Sequence, residues 1–92
     1  MDKKNEQGYI IGGKRYAPEK SVVLCRAGDN LETVTLYQTP KGAFFTVREG
    51  MGLEVPAVDV LDRDAALDFM DAHPAGINPV AYVKAFGEPV EG

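Results

Sequence analysis

The sequence predicts an α+β fold: a small antiparallel sheet of three to five strands, made of hairpins and packed on two C-terminal helices. Residues 36–50, LYQTPKGAFFTVREG, hold two runs rich in aromatic and β-branched residues on either side of Pro40-Lys41-Gly42. Such runs favour pleated, half-buried strands, and the Pro-Lys-Gly break suits a type I turn closed by a left-handed glycine. The last third of the chain instead carries two helical segments, each opened by a capping side chain, Asp62 and Asn78.

Each element follows in order. Residues 1–8 are expected to be a disordered tail, residues 9–88 one domain, and residues 89–92 a second tail. Gly12-Gly13 lies between Ile10-Ile11 and Lys14-Arg15-Tyr16 and suits the positive φ values of a two-residue hairpin turn. Pro18 suits the first position of a helical turn. Ser21 to Ala27 is a short apolar strand, and Gly28-Asp29-Asn30 is a turn signal. Glu32 to Thr39 is a strand by composition. The three-residue loop after it pairs Thr39 with Ala43, Tyr37 with Phe45, Leu36 with Thr46, Thr35 with Val47 and Val34 with Arg48. One face of this hairpin then shows Val34, Leu36 and Phe44; the other shows Tyr37, Phe45 and Val47. Neither is a polar solvent face: the first is expected to lie on the helices, and the second to be only partly covered by the short N-terminal hairpin with Tyr9 and Tyr16.

Residues 50–58 read as a glycine-interrupted loop, followed by an extended segment to Leu61. Asp62 caps a helix over Arg63 to Ala72. Its 3.6-residue period puts Ala66, Phe69, Met70 and His73 on one side and Asp64, Asp68 and Asp71 on the other. Asn78-Pro79 starts a second helix with a stripe of Tyr82, Val83 and Phe86, ended by Gly87. Leu36, Phe69 and Phe86 are the expected core anchors.

The chain of 92 residues is 45% apolar and 26% charged, ordinary for one globular domain. No apolar run is long enough for a membrane span, and Met1 to Gly8 has no apolar stretch behind its lysines, which predicts no signal peptide. With the single Cys25, this predicts a cytoplasmic, reducing location. The net charge of −4 is unevenly spread. Residues 1–48 carry eight Lys/Arg against five acids, giving +3, and residues 49–92 carry two against nine, giving −7. Such a split suits solubility, and it also suggests a dipolar molecule whose acidic part would repel nucleic acid and attract a basic protein surface.

Few residues suggest chemistry. Asp59, Asp62 and Asp64 lack the alternating spacing, glycine and closing glutamate of a calcium loop, and capping accounts for Asp62. Cys25 and His73 are the only residues of their kinds, and nothing in the spacing brings them together as a nucleophile and base. At a helix end before proline, His73 suits a capping role. No glycine-rich phosphate loop follows a strand and opens a helix. The expectation is no catalytic residue, no metal and no cofactor. Lys14, Arg15, Lys20, Arg26, Lys41 and Arg48 intermix with Tyr9, Tyr16, Tyr37 and Phe45, a pattern that a nucleic-acid surface shares with an ordinary solvated sheet. The overall acidity argues against direct nucleic-acid binding. The row Asp64, Asp68, Asp71 places like charges one turn apart, costing about 0.2–0.5 kcal/mol per pair; a solvated face explains it, and so does a basic partner. Exposed tyrosine-containing patches tend to be contacts. Tyr37, Phe45, Val47, Asp64, Asp68 and Asp71 are thus the candidate partner-binding residues, for a host protein or a homodimer, with the core as the alternative for Tyr37 and Phe45.

The order of short motifs resembles a group of small proteins carried by phages, plasmids and other mobile elements of bacteria. Gly13, Lys14 and Tyr16 match a G-K-x-Y start. Leu36, Tyr37, Thr39, Gly42 and Phe45 match an L-Y-x-T-x-x-G-x-x-F hairpin, and Tyr82, Phe86, Gly87 and Glu88 match a closing Y-x-x-x-F-G-E. The resemblance runs over residues 10–88 and departs from the group at Gly50-Met51-Gly52. It carries over no catalytic residue. It implies a non-enzymatic protein-binding module, an inhibitor of a host nucleic-acid-handling or defence complex of the anti-CRISPR kind. A nucleic-acid-binding or toxin-like accessory protein using the basic first half is the alternative.

Overall fold

The computed structural model describes residues 8–50 and 52–88. The expected tails fall outside these residues, apart from Gly8. Six strands and two helices follow in the order β1 (Tyr9–Ile11), β2 (Lys14–Tyr16), β3 (Val22–Gly28), β4 (Glu32–Gln38), β5 (Phe44–Gly50), β6 (Ala57–Leu61), α1 (Arg63–Ala72) and α2 (Pro79–Phe86). Strands β3-β4-β5-β6 form a four-stranded antiparallel sheet in sequence order, and β1 and β2 form a separate two-stranded one. This is the α+β class that the sequence predicts.

Local chemistry explains the turns and caps. Ile11 pairs with Lys14 across Gly12 (φ 59°) and Gly13 (φ 80°), values that cost glycine nothing. Thr39 and Ala43 close the β4–β5 turn twice: the Thr39 N–H donates to the Ala43 carbonyl at 2.8 Å, and the Ala43 N–H donates to Thr39 Oγ1 at 3.0 Å. The expected register, with Tyr37 opposite Phe45 and Leu36 opposite Thr46, is the observed one. Between β3 and β4, the Asp29 carboxylate accepts from the N–H groups of Leu31 and Glu32, which lowers its pKa. Asp62 caps α1 by accepting from the Ala65 N–H at 2.8 Å, and Asn78 caps α2 through the Ala81 N–H.

Each face of the large sheet is covered by a different layer. On one face, Leu24, Cys25, Leu36 and Phe44 pack with Ala66 and Met70 of α1 and Ala81 of α2. The pairing of β3 with β4 shifts between Val23 and Cys25, so Leu24 is an extra residue. This bulge lets two consecutive side chains, Leu24 and Cys25, join one core. On the other face, Phe45 and Val47 lie under Tyr16 of the hairpin, with Tyr9, Ile11, Tyr37 and Val58 around them. The core anchors are only partly as expected. Leu36 has no accessible surface, but Phe69 and Phe86 are half-buried, and Met70 and Ala66 take the deepest positions on α1. Phe86 stacks on Phe44 at 5.6 Å.

The two edges of the sheet differ. Residues 76–78 seal β3: the Asn78 N–H donates to the Leu24 carbonyl at 2.8 Å, and Asn78 Nδ2 donates to the Val23 carbonyl at 3.2 Å. The opposite edge is β6, where Val60 stays exposed.

Candidate functional site

The six candidate contact residues part into two groups. Phe45 and Val47 are interior, 0% and 5% exposed, because the N-terminal hairpin lies over them. The Tyr16 ring is 5.5 Å from Phe45, and Tyr37 stacks on Phe45 at 5.0 Å. The aromatic patch read from the sequence as a contact is thus a second core; only Tyr37 keeps partial exposure. Burial raises the Tyr37 hydroxyl pKa, and Arg26 offsets this only in part. The sequence lacks the signal that would settle this, because β1 and β2 do not hydrogen-bond to the large sheet and their docking depends on side-chain shape alone.

Asp64, Asp68 and Asp71 are all exposed, on the side of α1 away from Ala66 and Met70. Asp59 on β6 and the cap Asp62 add two more exposed carboxylates. The cation within this stretch, Arg63, turns the other way: its guanidinium sits over the Phe86 ring, 4.8 Å from the centroid. The last turn of α1 carries no basic residue. Among the described residues, no three Asp, Glu, His or Cys side chains come together as metal ligands. The row is therefore a one-signed outer surface.

Cys25 and His73 do meet, but not as a catalytic pair. The Cys25 thiol donates to the His73 backbone carbonyl at 3.5 Å, while the His73 ring packs on Phe69 at 4.8 Å. Burial pushes the thiol pKa up, and the side chain has no accessible surface. A thiol so held is protonated and sheltered, the reverse of an activated nucleophile.

Two of the surface hollows among the described residues bear on charge, and neither involves the acidic row. One of about 580 Å³ runs beside His73 and is bordered by Arg26 and Asp29. The other, about 720 Å³, lies between the hairpin and the β4–β5 turn and is bordered by Lys14, Arg15, Lys20 and Lys41. These four cations come from β2, from the single helical turn at Pro18–Lys20, and from the loop after β4. Comparison with protein-family models, curated proteins and solved structures finds no match.

Proposed function

We propose that this protein acts by binding, with the acidic outer face of α1 as its contact for a basic protein surface. The observation that carries this reading is the orientation of charge around α1. Asp64, Asp68 and Asp71 project together into solvent, while Arg63 is committed to Phe86. The first-turn Asp64 suits the positive helix start, but the like charges one turn apart and the last-turn Asp71 work against the helix. The row is instead suited to steering and orienting a positively charged partner. The sheltered thiol supports binding over thiolate chemistry.

The motif order over residues 10–88 suggests the setting: an inhibitor carried by a bacterial mobile element, acting on a host complex that handles nucleic acid. The basic surfaces of such complexes, which normally hold phosphates, are natural partners for a carboxylate row. The test is affinity capture from host cells at low salt, with mass spectrometry, using the natural chain beside Asp64→Asn, Asp68→Asn, Asp71→Asn together. The reading requires a host protein that the natural chain retains and the triple variant does not. Equal retention by both would refute it.

A further inference from the structure

The larger hollow raises a separate question, independent of the α1 contact. Four of the ten Lys and Arg residues of an acidic chain border it, and all four are exposed at its rim. No Asp or Glu is among its lining residues. A concavity rimmed by one sign of charge focuses the field and concentrates the opposite ion. The rim also offers a neutral donor. Thr39 Oγ1 accepts from the Ala43 N–H, which leaves the hydroxyl proton free for an anion. Tyr16 lines the hollow but is 6% exposed and packed on Phe45, so it offers no free ring face for a base. The chemistry matches phosphate oxygens and lacks the stacking platform of a base-reading surface.

We propose that this hollow is a phosphate-binding site for the backbone of a single-stranded nucleic acid. A flexible strand can bend its phosphates into a concavity, whereas a duplex presents a stiff convex backbone. The acidic row does not forbid this. It belongs to the helix layer, and the hollow belongs to the hairpin side of the same sheet. Packed layers lie about 10 Å apart, and exposed charges are screened over about 8 Å at physiological salt. The row instead fixes which side a polyanion approaches.

Fluorescence anisotropy with a labelled oligothymidylate at low salt tests this. The samples are the natural chain, the variant Lys14→Gln, Lys20→Gln, Lys41→Gln, the single variant Lys41→Gln, and Lys84→Gln on α2 as a cation outside the hollow. Each substituted residue is exposed, and circular dichroism checks the fold. The natural chain should bind, with affinity falling as salt rises at a log–log slope of about 2 to 3, as expected for three or four phosphates on a single strand. The triple variant should lose at least about tenfold in affinity and about 2 units of slope. Lys41→Gln should lose a few-fold, and it decides the matter should the triple variant unfold. Lys84→Gln should bind as the natural chain does. No binding by the natural chain at low salt, or equal loss in Lys84→Gln, would overturn the proposal. So would preference for a duplex of equal length, or displacement by polyglutamate at equal charge, which would assign the hollow to an acidic protein. The variant Asp64→Asn, Asp68→Asn, Asp71→Asn should bind the oligonucleotide at least as well as the natural chain, so the two sites can fail separately.

Discussion

Tyr37 and Phe45 face each other across β4 and β5 with ring centroids 5.0 Å apart and planes 16° from parallel. Tyr16 closes over the same Phe45 from the other layer, tilted by 59°. Phe45 is therefore held between a cross-strand neighbour and the hairpin. The hairpin's attachment rests on this cluster, since its strands share no ladder with the large sheet.

Phe45→Ala should then remove the centre of the second core and cost about 3–5 kcal/mol, a large part of the stability of so small a domain. Tyr37→Ala should cost less, because that side chain is only partly buried. Chemical denaturation of both variants checks the order; a smaller loss for Phe45→Ala than for Tyr37→Ala would show that the hairpin does not cap this face.

Gly76 lies against the β3 edge, where an added Cβ would fall 1.8 Å from the Arg26 carbonyl oxygen. Gly76→Ala should force residues 76–78 off that edge and destabilise by about 1–3 kcal/mol. Gly52→Ala, where nothing lies within 4 Å, should be near neutral. Equal melting temperatures for the two variants would contradict the packing described for the sealed edge.

The caps offer a smaller, graded check. Asp62→Ala should cost about 1 kcal/mol, because it frees the Ala65 N–H at the start of α1. Asp62→Asn, which keeps the acceptor, should recover most of it.

Alkaline stability follows from the buried thiol. Its folded pKa is raised by burial. Its stabilising effect is thus fully present below the unfolded value, about 8.5, and is lost as pH rises through the folded value. Tyr9 and Tyr37, also raised mainly by burial, act the same way above about pH 10. Denaturation of Cys25→Ala across this range should show the decline beginning at higher pH than in the natural chain. Reaction of Cys25 with a thiol reagent should be slow until the protein unfolds.

Legibility in the sequence tracked distance along the chain. The β4–β5 register, the Gly12-Gly13 turn and the caps Asp62 and Asn78 were readable because each depends on residues a few positions apart. The location of Asp64, Asp68 and Asp71 on the solvent side of α1 followed from helical period alone. The Leu24 bulge, the approach of Gly76 to Arg26 and the Cys25–His73 contact were not readable, since each joins segments distant in sequence or turns on ladder geometry. The same holds for the hollow. The sequence groups Lys14, Lys20 and Lys41 with other cations and aromatics in a pattern that a solvated sheet shares, and only the fold shows that three elements bring them to one rim. That Leu36 and Phe44 lie on the helices was readable from that face, whereas the full cover that Tyr16 gives Phe45 and Val47 was not, because it turns on packing between segments distant in sequence.

The central claim is that the carboxylate row on α1 steers the protein onto a basic partner. The most direct measurement is the association rate of the captured partner as a function of salt, for the natural chain and for Asp64→Asn, Asp68→Asn, Asp71→Asn together. The expected result is a slower association for the variant with a flatter salt dependence, the dissociation rate changing less. Identical association rates and salt slopes for the two proteins would contradict it.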